Sequence, residues 1–199
     1  PWDGTDLWVG TLNQDSTLSD VLHVAGGPEE SIFQPAWSPD GTLHLISDRT
    51  GWWNLYALKD GELIPLAPMD AEFGVPQWVF GLTTYDFLQD GRIACLYSQR
   101  GLTHLGVITP GSGRVEPVET SFTAFRSIRT APAGDQVWVI AASASHPASV
   151  ASIDLQTGNA TVVRKSLDVD LDPGYLSIPE PIEFPTDGGL TAHALFDRP

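Results

Sequence analysis

A single cysteine, Cys95, excludes an internal disulfide. It sits in "RIACLYS", with no His or Lys near it in sequence to lower its pKa, and so reads as a buried, reduced strand residue. Basic side chains are scarce: ten Lys and Arg stand against 25 Asp and Glu, a net charge of −15. Phosphate backbones and anionic lipid surfaces are repelled by such a chain, so neither nucleic acid nor membrane is expected as a partner. No apolar run approaches the ~18 residues of a membrane span, and no basic-then-apolar signal segment opens the sequence. The expectation is a soluble, cytoplasmic protein. Long amphipathic runs of helical period are missing as well, which excludes the helical solenoids.

What is present is turn chemistry and bulky apolar residues: 19 Gly, 16 Pro, seven Trp and eight Phe in 199 residues that are 42% hydrophobic. That composition suits one sizeable all-β domain with its own core. The stretch "SIFQPAWSPDGTLHLISDRTGWWNLYALKDGELIPL" is a series of short apolar runs cut by Asp-Gly turns, and versions of it recur. Leu7-Trp8-Val9 aligns with Leu55-Tyr56-Ala57 at an offset of 48 residues, and Leu105-Gly106-Val107 follows 50 later. The turn before the second strand recurs as Pro39-Asp40-Gly41, Gln89-Asp90-Gly91 and, more loosely, Ala133-Gly134-Asp135. A further turn closes each third strand, at Asp60-Gly61, Gly111-Ser112-Gly113 and Thr157-Gly158. These residues supply the positive φ that tight hairpins need.

Four short strands in about 45 to 50 residues is the period of propeller blades. The expected fold is therefore all-β, a partial β-propeller of about three and a half four-stranded blades; a β-sandwich would show the same alternation and is the alternative fold. The units run from Trp2 to Gly27 (a half blade), then over residues 31–68, 79–119 and 122–166. The propeller portion ends near residue 170. A chain that reaches a strand almost at once, without a lead-in element, reads as a cut piece. Trp37 and Tyr56 stand at repeated apolar strand positions and are expected between blades, whereas Trp52 and Trp53 are expected to pack with one ring exposed at a loop.

"QPAWSPDGTLHLISDRTGWWNLYAL" resembles the blade signature shared by TolB-like propellers and by the propeller of prolyl oligopeptidase family serine peptidases. Two further stretches, "AEFGVPQWVFG" and "LDPGYLSIPEPIEFPTDGGLTAHALFDRP", are similar to bacterial members of the acylaminoacyl and dipeptidyl peptidase branch. The second resembles the handover into the α/β-hydrolase domain, so residues 171–199 are expected to be a linker and a strand pair leading toward that domain. The resemblance implies a propeller that gates entry of peptide substrates to an attached hydrolase domain. In the dipeptidyl branch it also implies acidic propeller residues that hold a substrate's free amino group. Glu72, beside Phe73 and near Trp78, is the substrate-binding candidate. The alternative is a TolB-like binding module with no peptidase attached.

No catalytic residue is expected within these 199 residues. A nucleophile elbow needs G-x-S-x-G between a strand and a helix, and "PGSGR" around Ser112 has the wrong spacing. His23, His44, His104, His146 and His193 sit singly in strand or loop contexts. "DVDLDPG" places Asp168, Asp170 and Asp172 at calcium-loop spacing, but Pro173 and Pro179 stand where the loop needs glycine and a bidentate glutamate. It reads as a solvated acidic linker, and no metal or cofactor is expected. An open arc of blades leaves strand edges unpaired, so the tail from Ile178 to Pro199, or a second copy in a homodimer, is expected to cover them.

Overall fold

Apolar alternation punctuated by glycine gives antiparallel strands throughout the computed structural model, which describes residues 4–168 and 172–197. β1 (Asp6–Leu12) and β2 (Leu18–Gly26) form a two-stranded sheet. Three four-stranded sheets follow, each ordered as in the chain. The first holds β3 (Ile32–Trp37), β4 (Leu43–Ser47), β5 (Asn54–Lys59) and β6 (Glu62–Pro65). The second holds β7 (Tyr85–Phe87), β8 (Ile93–Gln99), β9 (Leu102–Ile108) and β10 (Val115–Val118). The third holds β11 (Ala124–Thr130), β12 (Gln136–Ser143), β13 (His146–Asp154) and β14 (Ala160–Lys165). A hairpin of β15 (Glu180–Pro185) and β16 (Thr191–Phe196) ends the described chain. This is an all-β partial propeller: one two-stranded blade, three complete blades and a terminal strand pair. Trp2, Asp170 and Pro199, named above, lie outside the described residues.

The cores lie between sheets, as a blade architecture requires. Ile32, Leu45 and Tyr56 of the first complete blade pack against Ala25 of the two-stranded one. Phe33, Ile46 and Leu55 meet Tyr85, Ile93 and Cys95 across the next junction. Leu96, Leu105 and Val107 meet Ile128, Val137 and Ile153 across the last. Polar groups rivet the same junctions. Gln34 donates to the Tyr85 carbonyl at 2.7 Å, while the Tyr85 hydroxyl donates back to the Gln34 carbonyl at 2.7 Å. One junction further on, Asp86 accepts the Thr130 backbone N–H at 2.8 Å, and Arg92 pairs with both Asp90 and Asp135.

Antiparallel order sorts the connections onto two faces. The Asp40-Gly41, Asp60-Gly61, Asp90-Gly91, Gly134 and Gly158 turns all fall at one end of the blades. Gly41 and Gly91 have φ of 82° and 87°, which a side chain would strain. The opposite end carries the Thr50-Gly51 and Arg100-Gly101 turns and the long connection of residues 66–84.

Two expectations are corrected. Tyr56 is buried, at 3% exposure, but Trp37 is 58% exposed. Phe33 pairs with Ile46 and Ala36 with His44, a step of three residues on β3 against two on β4. Gln34, at φ 46°, absorbs the extra residue of this bulge. The bulge shifts the alternation, so Trp37 pairs with Leu43 on the face turned to the two-stranded blade, which is too narrow to cover it. The terminal hairpin also departs from its expected role: β15 and β16 pair with each other and add no strand to β2 or β14. Leu195 instead rests against the Arg100-Gly101 turn, where a Cβ on Gly101 would meet its Cδ2 at 3.3 Å.

Candidate functional site

Glu72 belongs to the connection of residues 66–84, and its neighbours hold it in place. Its backbone makes an antiparallel bridge with Ser98 at the end of β8, through N–H···O contacts of 3.0 and 2.8 Å. The next residue, Phe73, donates its N–H to the Trp53 carbonyl at 2.7 Å and stacks on Tyr97 with ring centroids 5.7 Å apart. Trp53 lies flat over Gly74, where any Cβ would fall 1.5 Å from its ring, so only glycine fits there. Upstream, the buried Asn54 side chain donates to the Met69 carbonyl at 3.1 Å and accepts its N–H at 3.0 Å.

This scaffold aims the Glu72 carboxylate back across the blade. Oε2 accepts the Trp53 backbone N–H at 2.9 Å, which fixes the rotamer. The half-buried group opens on a cleft of about 540 Å³ that also takes in Trp52, Asp70, Arg100, Glu183 and His193. Three carboxylates thus face one guanidinium, and His193 is engaged by Glu183 across the hairpin at 3.4 Å. Trp52, 39% exposed, offers an aromatic face at the rim. Such a cleft suits a small cation with apolar surface, because an ammonium beside a carboxylate and an indole gains both an ion pair and a cation–π contact.

The other sequence candidates lie apart from the cleft. Trp78 is exposed on the same connection but does not line it. Ser112 closes the β9–β10 turn, its hydroxyl donating to the Arg114 carbonyl at 3.0 Å. His23 pairs with Asp6 at 2.9 Å, His104 stacks on Tyr97, and His146, the first residue of β13, meets the Ser143 and Ser145 hydroxyls across the β12–β13 turn. Asp172 accepts the Gly174 N–H at 2.9 Å in a short turn, with Asp168 exposed. Sequence reading missed Asp70, the Ser98–Gly101 turn, Glu183 and His193 as companions of Glu72. Only Asp70, two residues upstream, carries a local signal.

No family model matches the chain, and no curated protein does. Among solved structures, a puromycin hydrolase is similar over 100% of this chain, with a TM-score of 0.88 and 31% identity. A puromycin-hydrolyzing peptidase of Mycobacterium tuberculosis is similar over 98%, with a TM-score of 0.86 and 31% identity. The chain belongs to the propeller region of the prolyl oligopeptidase family. Prolyl oligopeptidase B from Galerina marginata shares the fold over 96% of the chain, with a TM-score of 0.68 and 14% identity. The chain spans 30% of the first puromycin hydrolase, 29% of the Mycobacterium tuberculosis peptidase and 27% of the fungal prolyl oligopeptidase. Placing it in the prolyl oligopeptidase family gives the cleft a setting, since it lies on the blade face where the terminal hairpin packs.

Proposed function

We propose that this propeller region gates peptide access to a serine hydrolase domain and that the Glu72 cleft anchors the substrate's free amino terminus. The observation that carries the reading is the carboxylate of Glu72, locked by the Trp53 N–H and grouped with Asp70 and Glu183 beside Trp52. The cleft's place on the face of the terminal hairpin supports it, because residues 171–199 are the segment read as leading into the hydrolase. In the assembled enzyme the reaction is acyl transfer from a peptide bond to a serine supplied by that domain. The similar structures named as a puromycin hydrolase and a puromycin-hydrolyzing peptidase support peptide-like substrates. Anchoring of an amine favours amino-terminal release, as in the dipeptidyl branch, over removal of acylated residues.

Titration of the chain with a short peptide amide bearing a free amino terminus, followed by amide chemical shifts, tests this. Saturable shifts at Trp52, Ser98 and Gly101 are expected with the free peptide and not with its N-acetylated twin. Equal shifts with both peptides would remove the amine from the account.

A further inference from the structure

A second cleft, of about 350 Å³, opens between the first two complete blades on the face of the Asp-Gly turns, away from Glu72. His44 lies at its base and is only 7% exposed. One ring nitrogen, Nδ1, is 3.1 Å from the Thr42 carbonyl. A carbonyl oxygen only accepts, so Nδ1 carries the proton, and in the neutral ring Nε2 is a bare acceptor. Burial holds the imidazole below its ordinary pKa, which keeps it neutral near pH 7. Among the described residues Nε2 has no hydrogen-bond partner and no side-chain nitrogen or oxygen is sealed off without one, so Nε2 keeps some access to solvent, and the cleft is the open space that His44 lines.

The walls define what fits. Phe87 meets the His44 ring edge-on, with centroids 4.9 Å apart, and Ala57 and Leu66 extend the apolar lining. At the mouth, Asp40 is already engaged by Ser38 and Thr42, while Lys59 forms no ion pair among the described residues. The recess falls within the ~300–1,000 Å³ range of small-molecule sites. Its lining is mixed, apolar at Phe87, Ala57 and Leu66 around the His44 acceptor and polar at Asp40, Lys59, Gln89 and Asp90, which suits a flat ring bearing a single donor. We propose that this cleft binds a phenol or indole ring whose O–H or N–H donates to His44 Nε2. The ring can belong to a free small molecule or to a peptide tyrosine or tryptophan, since both present the same atoms.

Titrating the full 199-residue chain with p-cresol, toluene and N-acetyltyrosine amide, read by amide and imidazole nitrogen shifts, tests the proposal. With p-cresol, saturable shifts are expected at Thr42, His44 and Phe87, together with an Nε2 shift that marks an accepted hydrogen bond. Toluene, which lacks the donor, should bind about tenfold more weakly, and His44→Phe should lower p-cresol affinity about tenfold. Tighter binding of N-acetyltyrosine amide than of p-cresol would identify a peptide side chain as the source; the reverse order would identify a free phenol. Equal affinity for p-cresol and toluene, or an unmoved Nε2 resonance, would overturn the proposal. The p-cresol and toluene comparison uses unaltered protein, so it decides the matter even if the variant does not fold.

Discussion

The Glu72 carboxylate accepts the backbone N–H of Trp53 at 2.9 Å, although the two residues lie 19 apart in sequence on a loop and a strand start. This one contact ties the connection to the blade at the edge of the cleft that Glu72 lines. A glutamine at position 72 keeps an oxygen for Trp53 but loses the charge. Glu72→Gln is therefore expected to leave urea stability within about 1 kcal/mol of the parent chain, measured by fluorescence-detected unfolding.

Tyr56 and Trp37 separate burial from mere aromatic pattern. Tyr56→Ala empties a site between two blades and should cost about 3 to 5 kcal/mol in chemical unfolding. Trp37→Ala removes an exposed ring and should change stability by about 0.5 kcal/mol. Equal losses at the two positions would show that Trp37 is covered in solution.

The pattern of buried and exposed residues shows which parts of the architecture the sequence discloses. The repeat of turns and third strands reveals the blades because every blade meets its neighbour in the same way and so needs the same residues at the same spacing. Trp37 misleads because the bulge at Gln34 is a local event that no period announces. Glu72 is legible as an acid in a loop between blades. Glu183 and His193 are not legible as its companions, because they arrive from a separate hairpin more than a hundred residues away, brought there by packing of Leu195 against the Arg100-Gly101 turn. His44 hides for a related reason: "TLHLIS" reads as a uniformly buried strand, and only the packing of two blades places His44 in the lining of a cleft.

Acid should loosen the face of the Asp-Gly turns first. The Ser38 hydroxyl, followed by the Thr42 backbone amide, holds Asp40 down to about 2. Asp90 is lowered chiefly by the Arg92 amide and Asp154 by the Thr157 amide. A carboxylate whose folded pKa lies below its unfolded value adds stability that is complete above the unfolded pKa and is lost as pH falls toward the folded one. Stability should thus fall between about pH 4 and pH 2, and Asp40→Asn should flatten that slope in unfolding curves recorded across the range.

Cys95 is fully buried at the junction of two blades, and burial pushes its thiol well above the usual range. Iodoacetamide should leave it unmodified in the native chain and label it fully in denaturant, as read by intact mass. Rapid native labelling would mean that the blade junction opens.

The 199 residues contain no G-x-S-x-G, and Ser112 closes a hairpin. Chromogenic aminoacyl and acylaminoacyl substrates are expected to show no turnover with this chain alone, and a fluorophosphonate probe to label no serine. Stoichiometric labelling of any serine would place a nucleophile within the propeller.

Recognition of a peptide's amino terminus by the Glu72 cleft is read out by the affinity of one free-amine peptide amide for the parent chain and for Glu72→Gln. A charge-assisted hydrogen bond contributes about 1.5 to 3 kcal/mol, so binding by the variant should be about 10- to 100-fold weaker, with native amide shifts elsewhere unchanged. An affinity equal to that of the parent chain would contradict the account and leave Glu72 as a residue that does no more than hold its own loop.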